Sequence, residues 1–202
     1  MRIKTAAKRQ TIIDAASAAF SELGVEQTSI SHIVERIGGS KATIYSYFAS
    51  KEELVAAVML QAWSKDIKQL FIHFSEGSDP VSDLANFARD YLVIVLQPEI
   101  MTLARSAMMH GDRAGRNFYE SAPKRGWDLV ADCFEQWKLS NQFPDVDATV
   151  AALHLKGLLQ AELFDKILFG FSLPEKHEIH ATADRAVQAF VRCYPISSQL
   201  KK

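Results

Sequence analysis

The amino-acid sequence predicts an all-α fold of about nine helices, and three observations carry that expectation. Apolar residues recur at i, i+3 and i+4 along most of the chain, alternating β-branched runs bounded by turn residues are almost absent, and helix-starting and helix-stopping residues punctuate the pattern. At 202 residues, 48% hydrophobic and 23% charged, the chain can bury a substantial core and has room for one large or two small domains. The formal net charge of -1 excludes a uniformly basic nucleic-acid binder. It conceals a local asymmetry, however: Arg2, Lys4, Lys8 and Arg9 precede the first acid, Asp14, while most acids lie from Val55 onward. That basic end is either a contact surface or a solubilising tail. Two widely separated cysteines, Cys133 and Cys193, form no disulfide framework or CxxC motif, and no signal-like or membrane-spanning run occurs, so a cytoplasmic protein is expected.

The first helix is expected over Ala7–Leu23, with Ile12, Ala16, Phe20 and Leu23 on one face and Gly24 as its stop. A second helix starts after the N-cap Ser29 and ends at Gly38-Gly39; a third is the brief Lys41–Tyr47. Ser50 caps a fourth, long helix whose first turn carries Glu52 and Glu53 and which runs to about Phe74. Further helices are expected over Val81–Leu96, from Pro98 to about His110, within Asn117–Leu139 with an interruption at Pro123, over Asp147–Phe169, and over Pro174–Tyr194. No flexible linker separates these parts, so the domain boundary falls in or beside the fourth helix: residues 1–54 as one domain and 55–202 as the other.

The short third helix carries the chemistry. Ile33, Ile37, Ile44 and Phe48 close a small core with Ile12 and Phe20, which leaves Ser40, Lys41, Thr43, Tyr45 and Tyr47 outside: hydroxyls, one cation and two rings. A helix-turn-helix sets its second helix in the DNA major groove, where a few residues suffice, so two turns are enough. The glycines permit the reversal, Ser40 caps the helix, and Lys51 with the fourth helix's N-terminal amides can hold a phosphate.

The stretch RQTIIDAASAAFSELGVEQTSISHIVERIGGSKATIYSYFASKEEL resembles the DNA-binding domain of the TetR family of bacterial transcriptional regulators. The resemblance covers roughly a quarter of the chain and rests on Ile12, Ala15, Ala16, Phe20, Gly24, Thr28-Ser29, Ile33, Gly38, Ser40, Thr43, Tyr45, Phe48, Lys51 and Leu54. It implies that Ser40, Lys41, Thr43 and Tyr47 face bases or neighbouring phosphates and that Thr28, Tyr45 and Lys51 grip the backbone of double-stranded operator DNA. Three positions depart from the pattern. Val34 replaces the usual alanine, Gly39 the common valine, which predicts a looser turn, and His32 the acid of a capping box, which predicts a weakened cap.

Farther along, PEIMTLARSAMMHGDRAGRNFYESAP resembles the effector domain of the AefR-like branch. The resemblance implies a homodimer joined through the last two helices. Apolar stripes fit this: Ala151, Leu155, Leu158 and Leu159 on one helix, Ala183, Val187, Phe190 and Val191 on the other, with Leu155, Leu159, Val187, Phe190 and Val191 as interface candidates. The same stripes facing the subunit's own core is the alternative. Trp63, Ile67, Phe71, Met101, Met108, Trp127, Phe134 and Leu158 suit a pocket for a small apolar or aromatic effector, with Arg105, His110 and Glu162 as polar anchors. The same residue types also fill ordinary cores. His177, His180 and Asp184 read better as a solvated helix face than as a metal site, and neither metal nor cofactor is expected. No catalytic constellation appears. The reading is therefore a ligand-responsive DNA-binding regulator, most readily a repressor; its rival keeps the DNA-binding head on a purely structural or protein-interaction module.

Overall fold

The computed structural model describes residues 5–77, 79–109, 116, 119–120 and 123–197, without the side chains of 62–66, 99, 103 and 106–109. All regular structure among the described residues is helical: α1 Ala6–Leu23, α2 Ile30–Ile37, α3 Lys41–Tyr47, α4 Lys51–Ser75, α5 Pro80–Val95, α6 Pro98–Met109, α7 Pro123–Leu139, α8 Ala148–Gln160, α9 Phe164–Leu168 and α10 Lys176–Cys193. Two compact units result. The first holds Met1–Ala62 and Leu103–Tyr119, the second Trp63–Thr102 and Glu120–Lys202, so that α4 and α6 each contribute to both. No helix among the described residues is long and apolar enough to cross a membrane.

In the first unit, the Thr5 hydroxyl accepts the Lys8 N–H at 3.2 Å and starts α1, and Gly24, at φ 79°, donates its N–H to Phe20 O and ends it. Ile12, Ala16, Phe20, Ile33, Ile44 and Phe48 are buried together with Leu54, Val55, Val58 and Met59 of α4. Leu23, expected on the core face of α1, is instead 41% exposed: the chain turns at Gly24, and Val25 beyond the turn enters the core. The α2–α3 turn uses two left-handed residues, Gly38 at φ 64° and Gly39 at φ 114°. Gly39 is thus a conformational requirement of a defined turn and not a loosening of it.

In the second unit, α5 and α7 supply half of the packed rings and α4 two more. Phe71, Phe87, Tyr91 and Trp127 meet with centroids 5.2–6.2 Å apart, mainly edge to face. Phe74 bridges Phe87 to Trp137, which leads to a second stack of Phe134, Phe143, Phe190 and Tyr194. Gly126 is the seat of the Phe71 ring, three carbons of which lie 2.5–2.8 Å from where a Cβ would stand. Burial pushes the nearby Cys133 thiol up to about 12, and Asp83 adds to the effect, leaving an inert sulfur.

Two expectations about helix boundaries are corrected here. Pro123 opens α7 and does not interrupt it. The helix expected over Asp147–Phe169 is two, α8 and α9, separated at 161–163. An unbroken helix would carry Glu162 and Lys166 onto the stripe begun by Leu155 and Leu159; the break leaves both exposed and buries Ile167.

Two substitutions test this packing. Gly126→Ala should lower stability by about 1–3 kcal/mol, because the rigid Phe71 ring must shift, and the thermal midpoint by roughly 2–4 °C per kcal/mol. Gly39→Val should cost about 1–3 kcal/mol through backbone strain, measured by urea unfolding. A midpoint unchanged in either variant contradicts the geometry.

Candidate nucleic-acid interface

The face of α3 is made by three local devices. Ser40 Oγ accepts the Thr43 N–H at 3.2 Å and lies 3.2 Å from Thr43 Oγ1, so cap and first turn share one hydroxyl pair. Ser46 Oγ donates to Thr43 O at 2.7 Å. Ile44 is the residue of α3 buried in the core, and Phe48 closes the end. What remains outward is Ser40, Lys41, Ala42, Tyr45 and Ser46, with Thr43 and Tyr47 half-buried. Ala42 and Ser46 were not among the sequence candidates; their exposure follows from the helix phase once Ile44 is fixed inward.

Tyr47 is more constrained than expected. Its ring packs against the first unit's core and its hydroxyl accepts the Thr5 N–H at 3.1 Å, tying the start of α1 to the end of α3. Arg9 lies over the Phe48 ring at 5.0 Å. The N-terminal end of α1 and the C-terminal end of α3 therefore form one surface.

Thr28 requires a correction. It is fully buried, and its hydroxyl sits 2.7 Å from Gly24 O and 3.1 Å from Ala19 O, so it locks the α1–α2 corner and presents no side chain to a phosphate. His32 also behaves differently from expectation. Its Nδ1 accepts the Ser29 N–H at 3.3 Å while Ser29 Oγ accepts the His32 N–H at 3.3 Å, so imidazole completes the capping box in place of an acid.

The charges of the unit divide into spent and available. Arg36 is paired with Glu22, whose carboxyl is held below the usual carboxylate range by that guanidinium. Hydrogen bonds from Gln61 and Gln10 do the same for Asp14. Lys51 Nζ, half-buried, donates to Glu26 O at 3.4 Å, leaving two of its three protons for another acceptor. Lys41 stands exposed at the first position of α3. Ser50 Oγ accepts the Glu53 N–H at 3.2 Å and starts α4 as expected. The surface offers hydroxyls, one exposed ammonium and the Tyr45 ring, 49% exposed: groups of the kinds that can hydrogen-bond phosphates and base edges.

The effector and dimer candidates fall in several places. Ile67, Phe71, Met101, Trp127 and Phe134 are all buried in the second unit. Phe71 and Trp127 touch, with centroids 5.6 Å apart, whereas Phe134 belongs to the second ring stack. Leu158 is half-buried; Arg105, also half-buried, belongs to the first unit. Glu162 is exposed and bound by Arg185 Nε at 3.0 Å, which keeps it on the surface and out of the ring cluster. The side chains of Trp63 and Met108, and His110 altogether, lie outside the described residues. The interface candidates are corrected: Leu155, Leu159 and Phe190 are fully buried and Val187 nearly so within one subunit, and only Val191 is half-exposed. The apolar residues that α8 turns outward are Val150 and Leu153, 43% and 46% exposed. His177 stands 3.2 Å from Glu175 and Asp184 is paired with Arg89 of α5 at 2.8 Å; no group that could hold a metal ion occurs among the described residues.

Comparison with known proteins matches this arrangement. Residues 12–58 match the tetR-family model of bacterial regulatory proteins, and residues 82–196 match the C-terminal domain of AefR-like transcriptional repressors. A crystal structure of a TetR-family transcriptional regulator from Mesorhizobium loti superposes with a TM-score of 0.85 at 30% identity, over 96% of this chain and 99% of that one. The flavonoid-responsive regulator FrrA superposes with a TM-score of 0.71 at 26% identity, over 94% and 98%. The nicotine-responsive transcriptional repressor HdnoR of Paenarthrobacter nicotinovorans is 32% identical over 124 residues, 55% of this chain and 62% of that one. The alignments span between 28% and 62% of the first curated relatives matched. The chain belongs to the TetR family, whose members are helix-turn-helix transcriptional regulators and not enzymes.

Proposed function

We propose that this protein is a homodimeric repressor that reads a near-palindromic operator with α3 and releases it when a small apolar or aromatic molecule enters the second unit. The observation that carries the DNA-reading part is the outward row Ser40, Lys41, Ala42, Tyr45 and Ser46 on a capped helix anchored by one buried isoleucine. Tyr45 and Lys51 grip phosphates, Lys41 and Thr43 stand nearest the bases, and Tyr47 braces the start of α1. Two-fold pairing would set two such helices about 34–36 Å apart, one turn of the duplex, or slightly more.

The link between the two parts in this reading is α4, which runs unbroken from Lys51 to Ser75 and contributes to both units, so that the boundary falls near Ala62 and not at Leu54. A displacement of its ring-bearing half is then felt at its first turn. The ligand must bind the DNA-incompetent state more tightly, or it shifts nothing. Support for a ligand comes from the nicotine-responsive and flavonoid-responsive relatives and from the ring-lined interior. The rival, a DNA-binding dimer with a purely structural second unit, requires that Phe71 stay seated on Gly126. A ligand that raises the thermal midpoint and lowers operator affinity decides between them.

For the dimer, the outward residues Val150, Leu153 and Gly157 of α8 with Ala181, Gln188 and Val191 of α10 replace the buried stripes as the joining face. Leu153→Glu should give monomers by sedimentation with helical content unchanged, while Phe190→Glu should simply unfold the second unit. A persistent dimer of Leu153→Glu relocates the interface.

Selection from a random DNA pool should enrich inverted repeats, and on the enriched site Tyr45→Ala should lose most affinity with the dimer intact. Lys51→Ala should weaken binding to all sequences alike and flatten the log K against log salt slope by about 0.9. Enrichment of single, unpaired half-sites contradicts the two-fold reading.

A further inference from the structure

Trp127 is 4% exposed, and its Nε1 is a buried donor without a hydrogen-bond partner. Around it stand the edges and faces of Phe71, Phe87 and Tyr91, at centroid distances of 5.6, 5.9 and 5.2 Å. The indole N–H is near enough to the Tyr91 oxygen to bias the phenol but not in bonding geometry, and that oxygen already accepts Gln160 Nε2 at 2.8 Å. A weak N–H···π contact offsets only part of what an orphan donor costs in an apolar interior. Natural cores rarely keep such a group without a use for it.

The second observation is steric. The Phe71 ring rests on Gly126, in the same cluster, at a seat that any side chain would fill. Phe71 and Trp127 are on different helices, α4 and α7, so the seat lies between two elements and not within one. No charged side chain belongs to the cluster, and burial holds Tyr91 protonated. A charged ligand would lose its hydration here with nothing to replace it.

We propose that the Phe71–Phe87–Tyr91–Trp127 cluster is the closed form of a binding site for a neutral aromatic molecule bearing a hydrogen-bond acceptor, whose ring takes the Phe71 seat over Gly126 and whose acceptor takes the Trp127 indole N–H. This deepens, and rests on, the effector reading given above. It narrows the ligand from anything apolar to aryl ketones, aryl ethers and uncharged heteroaromatics. It also makes Phe71 the moving part: the one ring of the four carried by the helix that continues to Lys51.

The test uses the full-length protein without DNA and two probes of nearly equal shape, acetophenone and ethylbenzene, titrated while the tryptophan indole N–H signals are followed by NMR. Acetophenone should move the Trp127 signal downfield and bind roughly five- to tenfold more tightly than ethylbenzene, the gain of one satisfied donor. In Trp127→Phe the two probes should bind alike. If that variant does not fold, the wild-type pair decides alone, with the signal assigned through its contacts to the Phe71 and Tyr91 rings. Equal affinities, a stationary Trp127 signal at saturation, or no binding of either probe at millimolar concentration overturns the proposal. A separate gel shift on the selected operator keeps the two readings apart: acetophenone that moves Trp127 yet leaves DNA bound supports the site and removes the effector role.

Discussion

A helix of seven residues cannot hold itself together in water. Nucleation fixes three residues for the first hydrogen bond, and so short a helix ends before propagation recovers that cost. The recognition surface therefore depends on the burial of Ile44 and Phe48 against α1, α2 and the first turns of α4. Every other device in the first unit supports that burial. Thr28 locks the corner between α1 and α2, the two left-handed glycines reverse the chain in two residues, and Ser40 satisfies the first turn. Because the inward position is filled by a single branched side chain, its neighbours have no freedom of phase. Lys41, Tyr45 and Ser46 point outward as a consequence of Ile44 pointing in.

The second unit solves a different problem with the same means. Its helices α8 and α10 carry more apolar surface than one face can hold, and the structure divides it. Leu155, Leu159 and Phe190 go to the subunit core; Val150, Leu153, Gly157 and Ala181 go outward. A core between helices must be filled to close packing, and burial decides which apolar residues do so. The apolar pattern alone does not separate the two faces, since both carry periodic hydrophobic residues.

That difference marks what was legible in the sequence. The helices of the first unit were readable to within a residue or so, because capping residues and glycines act locally and the structure uses them as local rules require: Ser29, Ser40 and Ser50 all start helices through their side chains. The outward face of α3 was readable only in part: Ser40, Lys41 and Tyr45 are exposed as the phase of Ile44 requires, whereas Thr43 and Tyr47 are half-buried and Ala42 and Ser46 stand outward in their place. What escaped was set by tertiary partners. Thr28 looks like a surface hydroxyl until Ala19 and Gly24 turn out to hold it. His32 looks like a missing acid until its ring nitrogen is found facing the Ser29 N–H. The break after Gln160 was implicit in the pattern, since Glu162 and Lys166 fall on the stripe of Leu155 and Leu159, but only a three-dimensional core makes that placement prohibitive.

The composition of α3 limits what one copy can do. It offers a single cation and a handful of hydroxyls, with Arg36 spent on Glu22 and Arg9 resting on the Phe48 ring. Phosphate contacts supply a large share of the affinity of any such head, and α3 itself brings one cation, Lys41, to them. On a two-fold dimer the second head binds at the effective concentration set by the first, which multiplies weak affinities without any new contact. The same arithmetic makes binding sensitive to the distance between heads, because simultaneous engagement is lost once the spacing is wrong. A sparsely charged reading helix therefore leans on that second engagement, and on the proposed dimer the spacing of the heads weighs as much as the contacts each one makes.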